Sequence, residues 1–401
     1  MKSEALTPEP LIRRFMPELD TLRGIAVLGV LFYHGFQSAY GYGRLRYTGA
    51  ASDFLFATQF GVFGVNLFFV LSGFLITGIL LDSKSSPDYY RRFYTRRALR
   101  ILPAYYLLLI LLGLLGQTSK AFLGLSFIYL SNVTDFFGVS MDYGPLWTLA
   151  VEEHYYILWP TVVRKLRVRH LAIFSLAICT LIPIARAISF HYGYTTGLDW
   201  YTWFVADGLA EGSLLALLLR TSISRKQVAA GSASLLALVP AVLIAGAPLG
   251  ILTRQKLLGA ALQLTLVNTF FVGLLLLFFL LGTGSRKRFV NSSILQFFGY
   301  ISYALYLVHI MVFRIYDKIT RIFWPLLQPS EGHLGLIVLR FVVVGGTAVG
   351  LSYISRRYYE EWFLRRKDRL ASRPEEETMK VAVAASPGPA PAREPSESFQ
   401  P

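Results

Sequence analysis

Ionisable side chains lie inside otherwise apolar stretches of the chain, among them Arg23, His34, Glu152, Glu153, Arg186, Asp207, Glu211, His309, Arg314 and Arg340. A charge in lipid costs several kcal/mol unless it faces a polar cavity or a partner, so these groups are the first candidates for chemistry. Arg23 and His34 are eleven residues apart. On a helix that is about three turns, which puts both on one face with His34 about 16 Å further along the axis. Glu152 and Glu153 follow Gly144-Pro145-Leu146-Trp147, a sequence that starts a helix with proline in its first turn and tryptophan at the membrane interface. Counted from that end, the two carboxylates fall about 9 to 10 Å down the helix. His34, four residues from the end of its own run, is expected at a similar depth. A carboxylate beside an imidazole fixes its tautomer and makes it a better general base, so His34 with Glu152 or Glu153 is a candidate catalytic group. The same residues also fit an arginine snorkelling to headgroups, a hydrogen-bonded core histidine and a buried ion pair that only fixes helix packing.

A second chemistry is written in Arg91-Arg92-Phe93-Tyr94-Thr95-Arg96-Arg97-Ala98-Leu99-Arg100-Ile101-Leu102-Pro103. Read as a helix, Arg92, Arg96 and Arg100 form one stripe and Arg97 reaches the same side as Arg100. Guanidinium groups bind phosphates bidentately, so the stripe could dock a phosphorylated cofactor; anchoring to anionic lipid is the alternative. Pro103 is expected to bend an interfacial helix into the next span. Tyr33, Asp207 and His309 are candidates for lining the same cavity. Asp207 and Glu211, four apart on one face, could instead pair with Arg186 or Arg340. Ser72 reads as a helix-packing serine. No His-x-x-x-His pair, cysteine cluster or phosphate-binding glycine loop occurs, so no metal and no permanently bound cofactor is expected.

The elements that must position these groups are membrane spans. Of 401 residues, 54% are hydrophobic and only 16% charged, against roughly 25% charge in soluble domains. Apolar runs of spanning length lie near 21–38, 57–81, 101–116, 146–163, 170–189, 201–219, 228–246, 257–281, 296–316 and 334–354. The fold expected is therefore an all-α integral membrane protein of about ten transmembrane helices, with the shorter run 121–131 as a re-entrant or interfacial segment. If residues 1–14 are cytoplasmic, 28 of the 39 Lys and Arg fall on the cytoplasmic side and seven outside; both termini are then cytoplasmic, in the inner membrane of a cell that has one. The net charge of +15 fits lipid headgroups as partner and not nucleic acid. No cleavable leader is evident, so the first span is expected to insert intact. The single cysteine, Cys179, supports no disulfide within the chain. Residues 371–401, with six of the eighteen prolines and Glu375, Glu376 and Glu377 in succession, read as a disordered cytoplasmic tail. The sequence assigns no oligomeric state.

Four segments in order carry a resemblance: Pro17-Glu18-Leu19-Asp20-Thr21-Leu22-Arg23-Gly24 with His34 beyond it, Gly64-Val65-Asn66-Leu67-Phe68-Phe69-Val70-Leu71-Ser72-Gly73-Phe74, Phe93-Tyr94-Thr95-Arg96-Arg97-Ala98-Leu99-Arg100, and Trp147-Thr148-Leu149-Ala150-Val151-Glu152-Glu153-His154-Tyr155-Tyr156. From about 15 to 365 the chain resembles the acyltransferase-3 family of membrane O-acyltransferases acting on surface polysaccharides and related glycans. The resemblance implies transfer of an acyl group, commonly acetyl from acetyl-coenzyme A, to a hydroxyl of a carbohydrate or lipid-linked glycan. It makes His34 the essential histidine, Arg23 its motif partner, Arg97 and Arg100 the pair used for the acyl donor, and Glu152 and Glu153 the acidic pair. Two positions depart from the family pattern: Glu360-Glu361-Trp362 lacks the usual proline, and Thr148 stands where serine is common. A tail this short is expected to hold no fused hydrolase domain. Taken together, Arg97 and Arg100, with Arg96 beside them, would hold the donor's phosphates while the pantetheine arm reaches inward to His34, acting as general base or as acyl carrier. A transporter or exporter of a glycan or organic acid, with the same charges along its substrate path, is the alternative.

Overall fold

A computed structural model describes residues 11–13, 16–37, 48–283, 287–327 and 333–366. Most of the 1–14 segment, the 371–401 tail and the cations Lys2, Arg14, Arg44 and Arg46 lie outside the described residues. Among the described residues the chain is all-helical, with no strand: α1 (Pro17–Phe36), α2 (Ala50–Gln59), α3 (Gly64–Asp82), α4 (Tyr89–Leu114), α5 (Lys120–Phe127), α6 (Pro145–Lys165), α7 (Val168–His191), α8 (Thr202–Val205), α9 (Asp207–Leu218), α10 (Arg225–Gly246), α11 (Leu257–Gly282), α12 (Lys287–Val290), α13 (Ser293–Phe323), α14 (Leu334–Ile354) and α15 (Glu361–Leu364). Local signals set many of the starts. Pro145 occupies the first turn of α6, Ser224 and Gln227 form a capping box on α10, and the Ser119 and Ser292 side chains accept from Phe122 N and Leu295 N at the starts of α5 and α13.

Seven helical segments among the described residues are long and apolar enough to cross a membrane. The protein is a multi-pass membrane protein. α1 and α6, of 20 and 21 residues, are long enough as well, and the candidate site residues Arg23, His34, Glu152 and Glu153 are among the groups that make them polar. The run 201–219 is not one span. It breaks at Ala206 into four-residue α8 and twelve-residue α9, and twelve residues reach only about 18 Å. The carbonyl of Phe204 that the break releases accepts from Arg186 Nη1 at 2.7 Å, so the backbone stays satisfied away from water. The run 121–131 contains only the eight-residue α5. Pro103 lies within a continuous α4, so the arginine stripe and the apolar half belong to one helix.

Lipid tails are as apolar as leucine, so helices in a bilayer associate through close packing and hydrogen bonds more than through burial of apolar surface. Gly24 on α1 lies against Leu295 O of α13, where an added Cβ would come within 2.0 Å, and Gly299 of α13 returns the contact on Asp20 O. This crossing lays α13 along α1 and brings His309 beside His34. Arg340 of α14 pins the far end of α1: it holds Asp317 at 2.7 and 2.6 Å and donates to Gly35 O at 3.1 Å, next in sequence to His34.

Candidate active site

The roll of α6 decides where the acidic pair points. Trp159 Nε1 donates to Thr77 Oγ1 at 2.9 Å, Thr77 donates to Ser213 at 3.0 Å, and the Tyr155 hydroxyl lies 2.8 Å from Ser213 and 3.1 Å from Thr77. This buried network ties α6 to α3 and α9 and turns Glu152 onto α3, where its Oε1 accepts from Ser72 Oγ at 2.5 Å. Arg97 of α4 covers the next residue pair, its guanidinium 3.8 Å from the centre of the Tyr156 ring.

Three cavities follow one another through the helices. At one end, Arg92, Arg96, Arg97 and Arg100 line a cavity of about 520 Å³ with Asp82 and Ser83. Arg97, Arg100 and Ile76 also line the second, of about 110 Å³, which holds Arg23, Ser72 and Glu152. Val65, Phe69 and Tyr306 are shared between that cavity and a third of about 300 Å³, lined by Tyr33, His34, Asn66 and Trp147. The arginine stripe and the histidine thus lie at opposite ends of one series. Arg100 is crowded by the like charges of Arg23, Arg97 and Arg356, and Arg97 Nε is buried with no hydrogen-bond acceptor among the described residues. Guanidinium groups gathered around a cavity in this way suit a ligand carrying several negative charges.

His34 meets a different neighbour from the one its depth implied. Its Nδ1 lies 3.0 Å from Val30 O and 3.1 Å from Nε2 of His309, while Glu152 is engaged by Ser72 in the middle cavity. The cavity at His34 touches Gly144, Pro145 and Trp147, so the histidine is level with the first turn of α6, and Glu152 lies about 7 Å further down that helix. The remaining candidates divide clearly. Tyr33 lines the histidine cavity, and Arg23, paired with Asp20 at 2.7 Å, lines the middle one. Glu153 lies beside Glu152 on α6 with Oε1 buried and no hydrogen-bond partner among the described residues. Asp207 is enclosed rather than cavity-lining, because it is fully buried in an ion pair with Arg186 at 2.9 Å and accepts from Thr265 at 2.6 Å. Glu211 accepts from Thr269 at 3.0 Å. Sequence reasoning took Ser72 for a helix-packing serine and missed Tyr306. Ser72 stood inside a quoted family segment, and its hydroxyl in an apolar helix was the available signal; Tyr306 gave none, being one of 23 tyrosines.

Spanning helices, with an arginine cluster and a histidine at the two ends of a series of cavities, define a multi-pass membrane protein with a candidate active site among its helices. The chain belongs to the acyltransferase-3 family: the family model described as an acyltransferase domain matches residues 16–357. Among curated relatives it is similar to the peptidoglycan O-acetyltransferase OatA of Listeria monocytogenes, 32% identical over 167 residues, which is 37% of this chain and 24% of the relative. It is also similar to the putative peptidoglycan O-acetyltransferase YrhL of Bacillus subtilis, 34% identical over 190 residues, 41% and 27% of the two chains. The O-acetyltransferase OatA of Staphylococcus aureus (strain NCTC 8325 / PS 47) matches at 29% over 233 residues, 51% of this chain and 34% of the relative. The matched region spans only about a quarter to a third of these relatives. No solved structure matches the chain.

Proposed function

We propose that the protein is a membrane O-acyltransferase that moves acetyl from acetyl-coenzyme A to a hydroxyl of a peptidoglycan-type or other surface glycan. The observation that carries this reading is the series of three cavities joining the arginine stripe to His34. Arg96, Arg97 and Arg100 hold the donor's phosphates at the cytoplasmic face, the side favoured by the charge bias, and the pantetheine arm lies in the narrow middle cavity past Arg23, Ser72 and Glu152. The thioester then stands at Tyr306, facing the histidine cavity. His34 takes the proton from the acceptor hydroxyl, the alkoxide oxygen attacks the thioester carbonyl, and collapse breaks the carbon–sulfur bond. The thiolate leaves with the proton returned from His34, so ester and free thiol are the products. Glu152 and Ser72 act in the middle cavity, where the carboxylate offsets the positive charge of Arg97 and Arg23. Glu153, the other half of the acidic pair, adds a second carboxylate near Arg97.

The test is turnover of purified protein in nanodiscs with acetyl-coenzyme A, following free thiol with and without glycan acceptors. Acceptor-stimulated thiol release that falls by about 10²- to 10⁴-fold in His34→Ala is the expected result. Wild-type activity in His34→Ala, or glycan movement across vesicles with no thiol released, overturns it; the second result points to a transporter.

A further inference from the structure

The contact between the two histidine rings is fixed in direction from both sides. A carbonyl oxygen only accepts hydrogen bonds, and each ring has its Nδ1 on one: His309 Nδ1 on Leu305 O at 3.0 Å and His34 Nδ1 on Val30 O at 3.0 Å. Both Nδ1 atoms therefore carry hydrogen. The remaining atom of the pair, His309 Nε2, lies 3.1 Å from His34 Nδ1. Since His34 Nδ1 is a donor, His309 Nε2 must be the acceptor, which makes His309 the neutral Nδ1–H tautomer. The hydrogen of His34 Nδ1 is shared between the Val30 carbonyl and the His309 lone pair, and the lone pair of His34 is left on Nε2.

We infer that His309 is a positioning residue that, as a second acceptor beside the Val30 carbonyl, holds the His34 ring in its Nδ1–H tautomer and so helps set Nε2 as the atom that takes the acceptor's proton. His309 is suited to this. It is 1% exposed, it sits on α13, which the glycine crossing at Gly299 clamps to α1, and its ring is tilted against His34 with centroids 4.9 Å apart. The orienting group of a catalytic histidine is most often a carboxylate, which also stabilises an imidazolium. A neutral imidazole supplies the tautomer without that charge, which suits a base that needs to be neutral before the acceptor arrives. The inference about proton transfer rests on the proposed role of His34; the tautomer itself does not.

Two variants and one spectrum test it. His309→Gln keeps an amide oxygen able to accept from His34 Nδ1, and His309→Leu keeps the bulk but removes the acceptor. In His309→Leu, kcat falls by about 10- to 100-fold with the KM for acetyl-coenzyme A unchanged, and His309→Gln recovers most of the loss. Nitrogen NMR of histidine-labelled protein, with the His34 signals assigned by their absence in His34→Ala, shows Nδ1 protonated and Nε2 unprotonated in the wild type and a mixture in His309→Leu. Full activity in His309→Leu, equal losses in both variants with the His34 nitrogen signals unmoved, or a wild-type His34 protonated on Nε2 each overturns the inference. Transfer surviving in His34→Ala beside the expected nitrogen signals would instead remove the base and leave the tautomer standing.

Discussion

Arg186 and Arg97 are both arginines in the apolar part of the molecule, and they are held in opposite ways. Arg186 donates to Asp207, Thr265 and the carbonyls of Phe204 and Ala261 at 2.5 to 3.1 Å and is fully buried. Its charge is cancelled and its donors are taken, so it acts as a strut across the break between α8 and α9. Arg97 lies on an aromatic ring, keeps a buried donor with no acceptor among the described residues and lines two cavities. Buried charge alone does not mark a functional site. On the function proposed above, saturation marks the scaffold, and an unmet demand for an acceptor beside a cavity marks the site.

The comparison breaks most sharply at Arg186. Arg186→Leu leaves the Asp207 carboxylate buried without its partner and should cost about 3–5 kcal/mol of stability, while adding Asp207→Leu restores most of it because the pair is removed together. Denaturant unfolding in detergent micelles checks both. Wild-type stability in the single variant would mean that the pair is no strut. For Arg97→Ala the expected change lies in binding: the KM for acetyl-coenzyme A rises about 10- to 100-fold, the loss of one or two charge-assisted hydrogen bonds, with the unfolding midpoint nearly unmoved. A large stability loss with unchanged donor KM would place Arg97 with Arg186. Arg100→Lys keeps the charge and loses the bidentate fork, so its donor KM should rise by less than about tenfold, read in the same steady-state assay.

Much of this was legible in the sequence because period and hydropathy report position along a helix. The helical fold, the arginine stripe on α4 and the possible Arg186–Asp207 pair all follow from spacing or from the cost of charge. Rotation about the helix axis was not legible. Counting residues from helix ends put Glu152 and His34 at one depth, but Glu152 lies about 7 Å further down α6 than the turn level with His34, and the roll of α6 that turns it onto Ser72 is set by Tyr155, Trp159, Thr77 and Ser213, contacts across three helices that no single segment displays. The break at Ala206 escaped for a related reason: the run 201–219 is apolar enough to span, and the group that satisfies the backbone at the break, the Arg186 guanidinium on the Phe204 carbonyl, comes from another helix.

Tyr306 tests the boundary between the two ends of the path. Its ring is shared by the middle and histidine cavities, and its hydroxyl lies 2.8 Å from Thr148 Oγ1, which also donates to Pro145 O at 3.0 Å. Tyr306→Phe keeps the ring and removes one neutral hydrogen bond, and because Thr148 retains a partner the cost should stay near 1 kcal/mol, about a fivefold fall in kcat at most with donor KM unchanged. Tyr306→Ala removes the ring, so water from the histidine cavity gains access to the thioester. Acceptor-independent release of free thiol should then rise while transfer to the glycan falls. If both activities fall together, Tyr306 serves packing alone; if hydrolysis rises, the ring is what keeps a thioester held by arginines from reacting before an acceptor reaches the base.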